Sequence, residues 1–360
     1  MTWSLEKIIR AARQHNASDI HLVRGIPPAL RISGDIQLSG GAPLDQPTLE
    51  HFVGELLTER QRGFLYDQMQ LCFSRHWEEI GRCRVSIYFH GGCPEFALRL
   101  CETTIRNRED LRIPPVVEEF TRLPSGLVVV TGPTGSGKTT TLNFMVDLIN
   151  RERRAKIITI EDPVEYVHEN LRSIIVQQEV YIDTPSFKSA LTHVLRQDPD
   201  VIVIGEMREL ETVSTAIAAA ETGHLVLATL HTPDAVQTIQ RIFSVFPSEQ
   251  QNNIRYQLSN CLQAIVAQQL LPRADGRGLI LSSEICVATP AIRKFIRDGS
   301  PHLIYSELQT GKKHRMQTMD SVLLQLYQKG EVSYDTAVSL AREPNLIRHR
   351  GAGDVPREEP

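Results

Sequence analysis

The sequence predicts an α/β chain in three parts. These are a small α+β domain over residues 1–112, a parallel sheet covered by helices over 113–290, and helices over 291–347. Three observations predict it. Apolar runs such as Leu127-Val128-Val129-Val130 and Val201-Ile202-Val203-Ile204 alternate with helix-length segments, the pattern of strands buried on both faces. The first hundred residues lack that alternation and carry short strand runs broken by Gly and Pro. Finally, Gly132-Pro133-Thr134-Gly135-Ser136-Gly137-Lys138-Thr139 stands between an apolar run and an amphipathic one.

Taken in order, residues 5–15 read as a helix with Leu5, Ile8, Ile9 and Ala12 on one face. Residues 18–23 and 29–35 read as short strands, joined by the turn Gly25-Ile26-Pro27-Pro28. A helical stretch near 49–57 precedes a meander at 71–73, 83–89 and 95–100. Residues 107–115, polar and then Pro-Pro, read as the linker. Strands are expected at 127–131, 156–160, 201–204, 225–229 and 278–285, with helices at 187–196 and 211–221 between them. Helices at 291–297 and 321–328 follow, and residues 348–360, polar with Gly and Pro, read as a disordered tail.

Composition sets broad limits. The 360 residues suffice for two domains with cores of their own. A hydrophobic share of 41% and a charged share of 23% are those of a globular protein. A net charge of −4 gives no electrostatic footprint for nucleic acid, so no nucleic-acid partner is expected. No apolar run is long enough to span a membrane and no signal-peptide layout opens the chain, so membrane association is expected to be peripheral only. The six cysteines form no C-x-x-C pair, which disfavours a structural zinc site and favours free thiols.

The glycine-rich loop carries the strongest chemistry. Its glycines let backbone N–H groups converge on a phosphate, and the helix opening at its end adds positive potential. Lys138 would reach the β- and γ-phosphates, Thr139 would hold Mg²⁺, and Thr140 would continue the cradle. Gly135-Ser136-Gly137 is not followed by the third glycine of a dinucleotide fingerprint. Nucleoside triphosphate binding is therefore the reading.

Ligands of a parallel sheet gather beyond the carboxyl ends of its strands. There the sequence places Glu161-Asp162-Pro163-Val164-Glu165, then Gly205-Glu206-Met207-Arg208, and the strand 225–229 bracketed by His224 and His231. Phosphoryl transfer to water needs an acid that orients the nucleophile, a magnesium shell and donors on the γ-phosphate. Glu206, directly after four apolar strand residues, stands where such an acid is expected. Glu161 and Asp162 read equally as turn residues, and Glu165 also as a surface acid. By residue type alone His224 and His231 read first as structural histidines, and Arg99 equally as a solvated strand residue.

These motifs resemble those of the type II/IV secretion ATPases. Ala17-Ser18-Asp19-Ile20-His21-Leu22 followed by Gly25-Ile26-Pro27-Pro28 is similar to their N-terminal signature. Ile160-Glu161-Asp162-Pro163-Val164-Glu165-Tyr166 resembles their Asp box, and Asp198-Pro199-Asp200 through Arg208 their Walker B segment. Thr222-Gly223-His224 through Leu230-His231-Thr232 resembles their His box. The short N-terminal region, the missing tetracysteine motif and Ala291-Ile292-Arg293-Lys294-Phe295-Ile296 resemble the type IV pilus retraction branch.

The resemblance implies a homohexamer with a PAS-like N-terminal domain and a RecA-like P-loop ATPase domain, with ATP between them. It implies Glu206 as catalytic base, Glu165 as water-polarising or Mg²⁺-supporting acid, and His231 as γ-phosphate sensor, with His224 and Arg208 at the nucleotide. Arg99 would bring positive charge from the N-terminal domain. A second family arginine is replaced here by Gly91-Gly92-Cys93, with Arg106 or Arg108 as substitutes. The implied partners are an inner-membrane platform protein and the pilus machinery, with the enzyme cytoplasmic, at the inner face of that membrane. The implied function is pilus retraction; the family's alternatives are pilus assembly, type II secretion or an accessory retraction role. From other classes, a non-hydrolysing nucleotide-binding regulator is disfavoured by Lys138, Thr139 and Glu206, and a DNA translocase by the acidic charge balance.

Overall fold

A computed structural model of the chain describes residues 3–102 and 104–351. It divides into two compact units. The first runs up to Thr104 and also takes in Glu161–His168 and Gln177–Ser186; the second holds Ile105–Ile160, Glu169–Val176 and the chain from Phe187. The expected boundary near residue 112 thus falls earlier. Two stretches expected in the α/β core group with the first unit instead.

The first unit contains a six-stranded sheet of β1 (Ala17–Leu22), β2 (Ala29–Ile32), β3 (Asp35–Leu38), β4 (Gln70–Trp77), β5 (Gly81–His90) and β6 (Cys93–Leu100). The strand order is β3-β2-β1-β6-β5-β4, and every pairing is antiparallel. Its core joins Leu5, Ile9, Phe52 and Leu49 from the helices Leu5–Gln14 and Gln46–Leu56 to alternate sheet residues such as Ile20, Val85, Ile87 and Leu98. The period-2 burial of β5 explains why the sequence reads as strand. The hairpin between β5 and β6 turns on Gly91 and Gly92, at φ 56° and 75°. A two-residue turn with both φ positive is the glycine-favouring kind whose twist matches the flanking strands.

One helix of this unit escaped the sequence reading. Glu59–Gln68 begins with a capping box in which the Thr58 N–H donates to Gln61 Oε1 at 2.9 Å and Gln61 N–H donates to Thr58 Oγ1 at 3.4 Å. Its buried face is limited to Leu65, so its apolar periodicity is weak although its start signal is plain.

The second sheet has seven strands: β7 (Gly126–Thr131), β8 (Lys156–Glu161), β9 (Ile174–Glu179), β10 (Val201–Ile204), β11 (Leu225–Leu230), β12 (Leu262–Pro272) and β13 (Leu279–Val287). Their order is β13-β12-β7-β11-β10-β8-β9. Pairings from β12 through β7, β11 and β10 to β8 are parallel, and β12 with β13 is antiparallel. The expectation of a parallel sheet is therefore corrected to a mixed, mostly parallel one. The reason is chain length: residues 273–278 are too few for a crossover of about a dozen residues, so β13 can only return beside β12. The sequence reading did not assign β12, whose Gln263, Gln268 and Gln269 interrupt the apolar run. It also missed β9, whose alternating exposure leaves little apolar signal.

Registered residues Val128, Leu227 and Val203 share one face of this sheet, packed under Met145 and Ile149 of the helix Lys138–Glu152. That packing sets the glycine loop at the carboxyl end of β7. Helices at Pro290–Arg297, Ile304–Thr310, Met319–Gln328, Tyr334–Leu340 and Pro344–Gly351 follow β13. The last of these covers the start of the expected tail; residues 352–360 lie outside the described residues. No helix among the described residues is long and apolar enough to cross a membrane. All six cysteines are free.

Candidate active site

The loop Gly132–Gly137 leaves the fully buried β7 and passes into the helix Lys138–Glu152 through left-handed glycines, Gly135 at φ 78° and Gly137 at φ 87°. Gly132 is confined by space as well. A Cβ there would lie 2.3 Å from the Gln268 carbonyl oxygen and 2.5 Å from Ser136 Oγ. Pro133, Thr134 and Gly135 form the exposed crest, while Thr139 and Thr140 lie half-buried in the first helical turn. Asn143 Nδ2 donates to the Thr139 carbonyl at 2.9 Å.

Lys138 is almost buried. Its Nζ donates to the carbonyls of Gly132 and Pro133, each at 2.9 Å. Burial pushes its pKa down, against the pull of the Glu206 carboxylate. Ser136 Oγ is buried without a hydrogen-bond partner, which suits a site that takes an external acceptor such as a phosphate oxygen.

Two further segments converge on this loop. The strand β10 runs into Gly205, whose carbonyl accepts from Thr229 Oγ1, and so delivers Glu206. The Glu206 carboxylate contacts Arg208 Nε through Oε1, and the same oxygen lies 3.3 Å from His231 Nε2. His231 Nδ1 is also 3.3 Å from Lys138 Nζ. An ammonium can only donate, so Nδ1 accepts and Nε2 carries the proton toward Glu206. His231 thus joins the phosphate-loop lysine to the strand-end acid. Lys138, Glu206, Arg208 and His231 are brought together.

The His231 segment is locked by hydroxyls that sequence reading missed. Thr131 Oγ1 donates to the Thr232 carbonyl at 2.7 Å and accepts from the Thr232 N–H at 3.0 Å; Thr232 and Thr238 hydroxyls meet at 2.7 Å. Gln268 Nε2 donates to Thr141 Oγ1 at 2.7 Å, tying β12 to the loop helix. A glutamine inside an apolar strand was the available signal, hidden because the strand itself was not recognised.

His224 does not join the cluster. Strand register pairs Leu225 with Gly126 and Leu230 with Thr131, so His224 precedes β11 at the end remote from the loop, about 17 Å of strand away. Its Nδ1 instead faces the Ala219 carbonyl at 3.0 Å and Thr222 Oγ1 at 3.2 Å. His224 therefore lies at the end of the helix Leu210–Glu221, away from the phosphate loop of its own chain.

The first unit carries its own charged group. Arg99 Nε donates to Asp19 Oδ1 at 2.9 Å, because β1 and β6 register Asp19 opposite Arg99. Burial pushes the Asp19 carboxyl up, but the Ser18 hydroxyl and Arg99 prevail and hold it below the usual range. Glu165 lies near Arg84 and Arg99. Burial raises its pKa and both guanidiniums oppose the rise. Asp19 and Arg84 are further residues that the sequence reading did not single out. Arg108, a suggested substitute for the missing arginine, pairs with Glu118 at 2.8 Å in the second unit.

The chain is similar to known proteins along most of its length. The model of the family described as type II/IV secretion system protein matches residues 109–336, more than half of the chain. The chain is 38% identical over 340 residues to the type IV pilus retractation ATPase PilT of Pseudomonas aeruginosa, covering 94% of this chain and 98% of that protein. It is also 38% identical over 343 residues to the type IV pilus ATPase PilU of the same organism, covering 95% of this chain and 90% of that one. A crystal structure of the pilus retraction motor PilT with bound ADP shares the fold with a TM-score of 0.89 at 41% identity, over 96% of this chain and 99% of that chain.

Proposed function

The chain belongs to the type II/IV secretion system protein family and is an ATP hydrolase of the PilT/PilU-like pilus type; on that premise we propose that it is the motor that retracts type IV pili. The observation that carries the chemistry is the Lys138–His231–Glu206 chain, which connects the lysine of the phosphate loop to the strand-end acid through two 3.3 Å contacts.

In this reading the loop N–H groups and Lys138 hold the β- and γ-phosphates of ATP. Glu206 orients water and takes its proton as bond breaking begins. His231 registers the γ-phosphate, since it touches both the group that binds it and the group that acts on it. Thr139, in the first turn after the loop, would hold a magnesium ion that supplies positive charge to the phosphates, and Glu165 would support hydrolysis as an acid. The buried, unpartnered Ser136 hydroxyl and the narrow cradle at Gly132 support a phosphate-fitting loop. Arg99, oriented by Asp19, would add positive charge.

The motor is proposed to work as a homohexamer in the cytoplasm at the inner face of the membrane, acting on an inner-membrane platform protein. Loss of the γ-phosphate would remove contacts that favour one conformation and so move the subunit. Because identity to PilU equals that to PilT, an accessory retraction role is the second reading. Deletion of the gene, scored for surface pili, tests both. Hyperpiliated, non-motile cells that wild type restores and Lys138→Ala does not are the expected result. Bald cells overturn retraction in favour of assembly; hyperpiliation restored fully by Lys138→Ala leaves only a role without turnover.

A further inference from the structure

Glu165 sits in a stretch without regular secondary structure, between β8 and β9. The backbone groups on either side of it are nevertheless satisfied, and side chains satisfy them. On the preceding residue, the Val164 N–H donates to Glu179 Oε2 at 3.1 Å, and the Val164 carbonyl accepts from Arg82 Nε at 2.7 Å. On the following residue, the Tyr166 carbonyl accepts from Gln177 Nε2 at 2.8 Å, and Gln177 Oε1 accepts from the His168 N–H at 2.9 Å.

These side chains are themselves held. Glu179 is only 3% exposed. Its Oε1 accepts from the Ser74 N–H at 2.7 Å, its Oε2 contacts Ser74 Oγ, and Arg82 Nη2 lies 3.2 Å from the same oxygen. Arg82 also contacts Ser74 Oγ. At the outer end of β9, the Val180 N–H donates to the Glu161 carbonyl at 2.9 Å. Both backbone groups of Val164 are thus gripped by a buried ion pair anchored on β4 and β5.

A buried ion pair is weak evidence for stability, because desolvation of its members offsets their attraction. This pair does something an apolar pair cannot. It supplies one acceptor and one donor to the two peptide groups that flank Val164, in an irregular segment whose backbone would otherwise be buried unpaired. Its direct beneficiary is the placement of the next side chain.

We propose that Glu179 and Arg82 are positioning residues that set the Glu165 carboxylate for ATP hydrolysis, with Gln177 steadying the far side. This rests on the assignment of Glu165 to the reaction made above. Neither positioning residue needs to touch nucleotide for this role.

A double-mutant cycle on the full-length chain tests it, with steady-state phosphate release giving kcat and KM for ATP for wild type, Glu165→Gln, Glu179→Gln and the double variant. Glu179→Gln keeps the size of the side chain but loses the charge that holds Arg82 and Val164. Misplacement of a reacting group costs up to about 100-fold in rate, so a loss of about 10-fold or more in kcat is expected, with KM changed less than about twofold. The double variant should be no slower than Glu165→Gln alone, since a residue acting only through Glu165 has nothing left to position.

Losses that multiply in the double variant, or an unchanged kcat in Glu179→Gln, overturn the proposal. Full activity in Glu165→Gln removes the role of Glu165 itself, and the positioning role with it. Should Glu179→Gln lose its cooperative unfolding transition, Arg82→Lys takes its place in the cycle. It keeps the positive charge but removes the guanidinium fork that spans Val164 and Glu179, and the same two outcomes decide.

Discussion

At Gly132 the constraint is steric: a methyl group would have to occupy space held by the Gln268 carbonyl, and the φ of 147° adds a conformational penalty for any other residue. The loop is therefore shaped by β12 as well as by its own glycines. A few residues away, Glu206 shares one carboxylate oxygen between Arg208 and His231, so its orientation is set from two sides. Glu206→Gln preserves size and hydrogen-bonding reach while removing the basicity. It should lower kcat by a factor of about 10² or more, the range for loss of a general base, and leave affinity for an ATP analogue nearly unchanged. Phosphate release and analogue titration on the same preparation check this. Equal losses in rate and affinity would make Glu206 a binding residue.

At the scale of elements, the helix Pro290–Arg297 shows why its third motif residue is arginine. Thr289 caps its start by accepting from the Ile292 N–H at 3.3 Å. Arg293 then reaches back to the end of the helix Ser248–Cys261, donating to the carbonyls of Ser259 and Asn260, each at 2.7 Å, and of Ala288 at 3.0 Å. It also donates to Gln263 Oε1 at 3.1 Å, at the start of β12. A cation at a helix C-terminus satisfies carbonyls that have no partner inside the helix and complements its dipole. The neighbouring Lys294 and Phe295 take no part in this cap. Arg293→Ala is expected to destabilise the protein by about 2 kcal/mol, as several charge-assisted hydrogen bonds are lost at once. Arg293→Lys should recover only part of it, for want of the planar fork. Denaturant midpoints for the three proteins measure both effects; equal midpoints for wild type and Arg293→Ala would show that water replaces the cap without cost.

At the scale of the whole molecule, each unit has an apolar core of its own, and each buries acids, Glu179 in the first and Glu284 in the second. Burial pushes the carboxyl of Glu284, on β13, up to about 7; the Ala235 N–H donates to it at 3.0 Å and opposes the rise, while Asp234 adds to it. The folded state therefore holds this proton more tightly than the unfolded chain, whose value is near 4.5. Stability from this group is fully present below pH 4.5 and is lost as pH rises through about 7. That difference corresponds to roughly 3 kcal/mol at alkaline pH. Glu284→Gln keeps an acceptor for Ala235 but has nothing to ionise. Wild type should lose ground to this variant between pH 5 and about 8, seen in thermal midpoints measured across that range. Parallel pH curves for the two proteins would mean that Glu284 ionises in the fold without penalty.

What the sequence by itself determined was local: the glycine loop between strand and helix, the apolar strands β7, β10 and β11, and the acid that follows Val201–Ile204. Each rests on chemistry within a few neighbouring residues, a required φ, an unbroken apolar run or a fixed spacing, and such signals survive in one dimension. Only the tertiary structure decided that β12 enters beside β7 and closes on Gly132, that β13 runs against it, and that His231 spans Lys138 and Glu206 while His224 lies at the other end of the same strand. It also decided that the stretch bearing Glu165 belongs with the first unit and is gripped by Glu179 and Arg82. These outcomes depend on pairings between residues far apart in the chain, and no local periodicity records which distant partner a polar side chain will meet.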